Sequence, residues 1–397
     1  MRNRIYLDHH ATTPLDPRAL EAMLPFLRDR FGNASSATHS FGWEAREAVE
    51  QARCEVAALV GARPEEVVFT GGATESDTLA LLGAVDRARR AGVSPPHVIV
   101  AETEHAAVLD PVRRLERDGV PVTRIGVDRF GRIDPDDVRR ALRPQTVIVS
   151  IMAANNEIGT IQPLAEVAAI LAGAGVAFHS DAAQAAGRVA LDLRGAGPGL
   201  LSLSAHKMHG PKGVGALVVR SGLEARLEAR TFGGGHERGL RPGTPDVPAI
   251  VGFGAAAAIA LEAGGGEGRR LAALRDRLLD AVRGGLGGVE VNGHPTERLP
   301  NNLHLSLDGV DGESLATALG DEVALSTGSA CASAGGGESH VLKALGLPPE
   351  RARESIRIGL GRFNTEEEID LAGARIVEEA RRLRTLDSWG RGGEGKR

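Results

Sequence analysis

Ser202-Leu203-Ser204-Ala205-His206-Lys207-Met208-His209-Gly210-Pro211-Lys212-Gly213-Val214-Gly215 is the stretch from which the rest of the chain is read. An apolar run over 200–204 stops at a polar cluster, passes a Gly/Pro-rich turn and resumes over 216–219. Two buried strands joined by a short connection are expected here, with Lys207 just past the end of the first. A lysine held among apolar neighbours favours its neutral, nucleophilic amine. The chemistry that most needs such a residue is Schiff-base formation with a carbonyl compound, above all pyridoxal phosphate (PLP). The competing reading is a surface lysine in a turn, and the remainder of the chain decides between them.

That remainder is ordinary in bulk and unusual in detail. The 397 residues are 42% hydrophobic and 25% charged, enough for a large core and more than one domain. Aromatic residues make up only 3% and there are 52 glycines, so the core must be built from Ala, Val, Leu and Ile with many tight turns. A net charge of −5 gives no general nucleic-acid footprint, and no direct nucleic-acid partner is expected. No apolar run reads as long enough to span a membrane, and the start MRNRIYLDHHATTP lacks a signal-peptide apolar region. The two cysteines, Cys54 and Cys331, are too few for a disulfide framework, which points to a reducing cytoplasm.

Working outward, the region over 64–219 alternates strand and helix. Strands are expected over 67–70, 97–101, 120–127, 147–152, 176–179 and 200–204, with helices over 77–90, 107–118, 134–142 and 164–172 between them. Such alternation predicts an α/β fold with a mostly parallel central sheet and helices on both faces. Several strands end in polar residues: Thr70 with Thr74, His105, Asn155 with Asn156, Asp181 with Gln184, and Ser204 with His206 and Lys207. Ligands of such sheets bind beyond the carboxyl ends of the strands, so these clusters should meet at one edge. The turn Gly71-Gly72-Ala73-Thr74 ahead of a helix offers backbone N–H groups and hydroxyls to a phosphate.

Helices are also expected over 17–28, 43–60, 249–263, 271–283, 313–319 and 365–386, with strands near 289, over 303–307 and over 355–359. Cys54, inside the second helix among Ala, Val and Leu, reads as a small core residue. His9 and His10 lack the carboxylates or cysteines that would complete a metal site. Gly264 to Gly268 marks a soft boundary. It separates a large domain over 17–263 from a small α+β domain formed by 1–16 and 264–386, with a disordered tail over 387–397. Cys331 stands in a stretch of small residues, and an exposed thiol there is a candidate nucleophile.

A PLP site needs a Schiff-base lysine, a carboxylate for the ring nitrogen, a donor near the ring hydroxyl, a flat group over the ring and a phosphate cradle. Lys207, Asp181, Gln184 and His105 fit the first four in that order, and Thr74, Ser204 and His206 fit the last.

The motifs YLDHHATTP, FTGGATESD, MAANNEIGTIQP, HSDAAQAAG, SAHKMHGPKGVG, GGGHERGLRPGT, STGSACAS and ESIRIGLGR fall in the order seen in cysteine desulfurases. The chain resembles that family, PLP enzymes of the class V aminotransferase group with the fold type I architecture, over nearly its whole length. The loop around Cys331 resembles the NifS-like subgroup. The resemblance implies that Lys207 carries PLP, Asp181 meets the pyridinium, Gln184 the ring hydroxyl, and His105 stacks on the ring. Ala73, Thr74, Ser204 and His206 would hold the phosphate. Thr244 would reach the phosphate of a neighbouring subunit in a homodimer. Asn155 would meet cofactor and substrate, Arg357 the carboxylate of L-cysteine, and Cys331 would accept the sulfur as a persulfide. Iron–sulfur scaffold proteins or tRNA-thiolation enzymes are the sulfur acceptors it implies.

The chain departs from the usual family pattern at Ala34, at His9, His10, His209 and His236, and at Pro242 and Pro245 around Thr244. The nearest rival reading is a selenocysteine lyase or another class V lyase, which would share Lys207 and Asp181. A catalytically idle protein of this fold would lack one of Lys207, Asp181 and Cys331, and none is missing. Two cysteines so placed do not complete an iron–sulfur site.

Overall fold

The computed structural model describes residues 4–191, 193, 197–223, 226–327 and 338–392; Cys331 lies outside the described residues. The first half runs β1 (Ile5–Tyr6), α1 (Pro17–Arg28), α2 (Ser40–Leu59), β2 (Val67–Thr70), α3 (Ala73–Arg90), β3 (His97–Ala101), α4 (Ala106–Arg117), β4 (Val122–Ile125), α5 (Pro135–Ala141), β5 (Thr146–Ser150), α6 (Leu164–Leu171), β6 (Ala177–Asp181), β7 (Leu200–Ser204) and β8 (Gly215–Val219). The second runs α7 (Val247–Gly285), β9 (Val289–Val291), β10 (Asn302–Leu307), α8 (Gly312–Leu319), β11 (Val323–Ala324), α9 (His340–Ala344), α10 (Pro349–Arg353), β12 (Ser355–Gly359) and α11 (Glu366–Gly392). Asp residues cap several of these helices. Asp16 and Asp134, just ahead of the proline-started helices α1 and α5, accept from the first-turn N–H groups of Arg18 and Asp136.

The main sheet has the order β2-β8-β7-β6-β5-β3-β4. Strand β8 runs antiparallel to β2 and β7, and the remaining pairs are parallel. Both faces are covered, as the continuous apolar strands require. The period of two sorts the side chains. Val98 and Val100 enter the cluster under α3 and α4, whereas Ile99 enters the cluster under α5 and α6. On β7, Leu201 and Leu203 pack with Phe253 of α7 and Val56 of α2. This is the doubly covered α/β sheet that the alternating pattern predicts.

A second, antiparallel sheet has the order β12-β10-β9, and β1 pairs parallel with β11. Their core joins Ile5 and Leu7 to residues of the second half of α7, α8 and α11. Helix α7 therefore serves both cores. It changes direction at Gly264, whose φ of 50° and ψ of −150° are open to glycine and strained for other residues.

Four expectations need correction. Helix α3 starts at Ala73, four residues ahead of the expected start at 77, because Gly72 supplies its cap position. The five-residue break over 264–268 contracts to the single non-helical residue Gly264, since each remaining glycine costs the helix only about 1 kcal/mol. Cys54 is exposed: the buried stripe of α2 runs through Ala45, Val49, Ala52, Val56 and Ala57, and Cys54 falls off that stripe. Helix α11 extends to Gly392, beyond the expected stop at 386, with no proline to end it. In addition, α7 is long and apolar enough to cross a membrane by length and composition. Its apolar window is rich in Ala and Gly, and more than half of it is buried inside the fold, as in a core helix.

Candidate active site

The polar strand ends do meet. They line a cavity of about 1080 Å³ at the carboxyl edge of the parallel strands, closed on one side by residues 10–12 of the N-terminal segment. Ala73 and Thr74 arrive on the first turn of α3, His105 follows β3, and Asp181 ends β6 with Gln184 just beyond it. Ser204 ends β7, His206 and Lys207 follow it, and Arg357 enters from β12 of the second sheet.

Lys207 is half-buried in a single 3₁₀ turn. Its Nζ donates to the carbonyl oxygens of His10 and Ala11, at 2.5 and 2.8 Å. Asp181 is 6% exposed, and one carboxyl oxygen accepts from Ala183 N at 2.9 Å. Burial, then the neighbouring Asp77 carboxylate, pushes Asp181 up to about 6. Behind it the fully buried Glu104 is raised well above the usual carboxylate range by desolvation, while Met152 N donates to its Oε1 at 2.6 Å. His105 caps α4, and its Nδ1 accepts from Ala107 N at 3.1 Å. The remaining nitrogen, Nε2, therefore carries the proton of the neutral ring.

At the phosphate end, no side chain caps α3 at Gly72, whose φ is 148°. The helix start thus presents its own N–H groups to an anion. Gly72 is approached closely by β8: a Cβ on Gly215 would stand 2.7 Å from Gly72 Cα. His206 Nδ1 lies 3.1 Å from Thr12 Oγ1, and burial lowers its pKa to about 4, so the ring is neutral at pH 7. Lys212 brings a positive charge to the wall.

Arg357 is 3% exposed and bonds Asp8 Oδ1 through Nη2 at 2.9 Å. Its backbone pairs with Ser326, two residues before the undescribed stretch 328–337. On the far side of that stretch, Ser339 Oγ donates to Glu157 and His340 Nε2 stands 3.0 Å from Glu104 O. Both described flanks are thus fastened beside the cavity.

Two expected residues stand apart from it. Asn156 is on the wall, whereas the Asn155 side chain is spent on backbone: Nδ2 donates to Thr103 O, and Oδ1 accepts from the N–H groups of Glu157 and Ile158. Thr244 is exposed on the loop before α7 and lines no part of this cavity. Sequence reasoning passed over His10, Thr12 and Lys212. Lys212 stands in the Gly-Pro-Lys-Gly turn after β7, and His10 reads in the sequence as a rejected metal ligand and a departure from the family pattern.

These groups fit PLP. An uncapped helix start with hydroxyls nearby suits the phosphate. A buried acid with a raised pKa, and with no ion pair among the described residues, suits a pyridinium, and a half-buried amine lines the same cavity.

The Aminotransferase class-V family matches residues 5–371. "Cysteine desulfurase IscS" of Anaeromyxobacter sp. (strain Fw109-5) is 52% identical over 97% of this chain and 95% of its own length. The protein of the same name from Methylococcus capsulatus (strain ATCC 33009 / NCIMB 11132 / Bath) is 49% identical over 97% of this chain and 94% of its own. Among solved structures, a "NifS-like protein" superposes with a TM-score of 0.87 at 36% identity, covering 95% of this chain and 99% of that one. DndA from Streptomyces lividans superposes with a TM-score of 0.74 at 39% identity, covering 88% and 97%.

Proposed function

The chain belongs to the class V aminotransferases and, within them, to the cysteine desulfurases, and we propose that its strand-end cavity carries out that reaction with the residues assigned below. The enzyme is a PLP-dependent cysteine desulfurase. The observation that supports the assignment is the meeting of Lys207, Asp181, Gln184, His105 and Arg357 on one cavity wall.

When bound, PLP supplies an electron sink that makes the Cα proton of a joined amino acid removable. Lys207 would be the amine that carries the cofactor, and its Nζ would take that Cα proton. Asp181 would pair with the ring nitrogen and keep it protonated. Gln184 would donate to the ring oxygen, and His105, with its proton on Nε2, would hold the ring face. Ala73, Thr74, Ser204 and His206 would hold the phosphate. Arg357 takes the substrate carboxylate as a planar, two-pronged donor. Asn155 acts from behind the wall by fixing the backbone from Glu157 to Ile158, which differs from the direct contact that the resemblance implies.

Cys331 is the sulfur acceptor. Its thiolate attacks the substrate sulfur, the substrate Cβ–S bond breaks, and Cβ gains a proton. L-cysteine plus the Cys331 thiol thus becomes L-alanine plus a Cys331 persulfide. The persulfide passes its outer sulfur to an acceptor, of which iron–sulfur scaffold proteins and tRNA-thiolation enzymes are the two classes we propose. Thr244, exposed and away from the cavity of its own chain, suits a contact with a second copy. A homodimer acting in the cytoplasm is the corresponding assembly.

The test is purified protein with PLP and L-cysteine, following alanine and sulfide. Alanine should form with the unsubstituted protein and fail with Lys207→Ala. With Cys331→Ala, alanine formation should collapse. Unchanged alanine formation would remove Cys331 from the mechanism while leaving the Lys207 assignment intact.

A further inference from the structure

His10 grips Gln184 by both atoms of its carboxamide. Gln184 Nε2 donates to the His10 carbonyl at 2.9 Å, and Gln184 Oε1 lies 2.9 Å from His10 Nδ1. A carboxamide oxygen only accepts, so His10 Nδ1 carries the proton. Across the ring, Asn302 Nδ2 stands 3.1 Å from His10 Nε2. An amide nitrogen only donates, so Nε2 holds a lone pair. The two partners together admit one form of the imidazole, the neutral Nδ1–H tautomer.

The surroundings keep it there. His10 is 1% exposed, and desolvation, followed by the charges of Arg188 and Arg357, holds its pKa well below 6.5; Lys207 adds to this and the Gln184 contact opposes it. Asn302 is itself fixed, with Nδ2 also donating to Glu157 O at 2.9 Å and Oδ1 accepting from Arg298 at 3.2 Å. Gln184 has two amide hydrogens, and among the described residues only the His10 carbonyl takes one. Gln184 itself lines the cavity.

We propose that His10 is a positioning residue for the reaction: its enforced tautomer locks the Gln184 carboxamide so that the second Nε2–H addresses the oxygen on the cofactor ring. This rests on the reading of Gln184 as the donor to that oxygen.

A donor on the ring oxygen stabilises its negative charge. It thereby weakens that oxygen's hold on the proton shared with the Lys207–cofactor linkage. Without the donor, the linkage keeps its proton to higher pH, and the absorbance of the bound cofactor reports the midpoint. The experiment titrates holoprotein for wild type, Gln184→Leu, His10→Leu, His10→Asn and the Gln184→Leu/His10→Leu double variant. Gln184→Leu should raise the midpoint by about one pH unit, the size of one hydrogen bond to a charged oxygen. His10→Leu should move it the same way, and His10→Asn, whose amide can donate near the place of Nδ1, should restore it. The double variant should shift no further than Gln184→Leu alone. An unmoved His10→Leu beside a shifted Gln184→Leu overturns the role of His10 and leaves that of Gln184. An additive double variant, or no rescue by His10→Asn, also overturns it. An unmoved Gln184→Leu overturns both readings. Nitrogen-15 spectra of histidine-labelled wild-type holoprotein need no substitution to fold. They should show a neutral Nδ1–H ring, and an Nε2–H or doubly protonated His10 would end the proposal.

Discussion

Ser339 Oγ donates to Glu157 Oε2 at 2.5 Å inside the fold, where each residue is 6% exposed. The contact ties the loop after β5 to the residue that caps α9. Burial pushes Glu157 up to about 7, against the opposing effects of Ser339, Arg357 and His105. Between its ordinary value of 4.5 and about 7, the folded protein holds a proton that the unfolded chain has released. Stability therefore falls as pH rises through this window and levels off above it. Glu157→Gln stays neutral throughout. Its loss of unfolding free energy between pH 5 and pH 8 should be smaller than wild type's by up to about 3 kcal/mol. Urea unfolding at both pH values measures this, and an identical loss in the variant would show that Glu157 does not govern it.

Asp181 predicts a pH dependence of a different kind. With its pKa near 6 in the cofactor-free protein, the carboxyl loses its charge as pH falls through that value. Cofactor affinity should weaken over the same range, because the ring nitrogen loses its anionic partner. Asp181→Asn keeps the shape without the charge, so its affinity should be lower at pH 8 and lack the acidic decline. Alanine formation should drop by about a hundredfold, as expected for the loss of one strong charge-assisted bond. Equilibrium dialysis of PLP and an alanine assay would check both. Equal affinity in the two proteins at pH 8 would assign the ring nitrogen to another group.

Local chemistry explains which parts of this were legible in the sequence. The strands Val67–Thr70, His97–Ala101, Leu200–Ser204 and Ser355–Gly359 were readable because each is a short apolar run closed by polar residues or glycine. The shared direction of the first three, all in the main sheet, follows from the intervening helices, and the common edge of their polar ends follows from that direction. The choice between Asn155 and Asn156 was not readable, because it depends on how the chain turns after β5 to pair Ala154 with Ile161. Nor was the face of Cys54, which the phase of α2 against α7 decides. The role of His10 was not legible, since its partners Gln184 and Asn302 lie 174 and 292 positions away. Cys331, whose role rests on sequence resemblance, lies outside the described residues.

The outer edge of β2 gives a stability prediction. Phe69 N donates to Glu237 Oε2 at 2.8 Å, and Val67 O accepts from Arg53 at 2.9 Å, so side chains cover backbone groups that no strand pairs. Arg53 also meets Glu237 with two bonds, at 2.8 and 2.9 Å, and its guanidinium lies over the Phe69 ring. Both partners are largely buried, with side-chain exposures of 10% and 8%. Arg53→Met should cost about 3–5 kcal/mol, because Glu237 is left charged and buried without its partner. Adding Glu237→Gln should recover part of that loss. A cost below about 1 kcal/mol in urea unfolding would place this pair with ordinary surface bridges.

Two glycines separate crowding from backbone strain. A Cβ on Gly215 would stand 2.4 Å from Leu203 O and 2.7 Å from Gly72 Cα, both rigid backbone atoms. Gly215→Ala must therefore push β8 away from β7 or displace the turn that starts α3. Either movement disturbs the proposed phosphate cradle, so PLP affinity should fall at least tenfold, about 1.4 kcal/mol, along with stability. Gly264 has nothing within 4 Å of its Cβ position, but its φ is +50°. Gly264→Ala should cost about 1–3 kcal/mol of stability through backbone strain alone. Its PLP affinity should stay at the wild-type level, since the kink in α7 lines no part of the cavity. Melting curves with and without PLP, together with dialysis, read both quantities. If Gly264→Ala lost PLP as Gly215→Ala does, the two cores joined by α7 would be coupled to the cofactor site, and crowding at Gly72 would no longer explain the effect of Gly215→Ala.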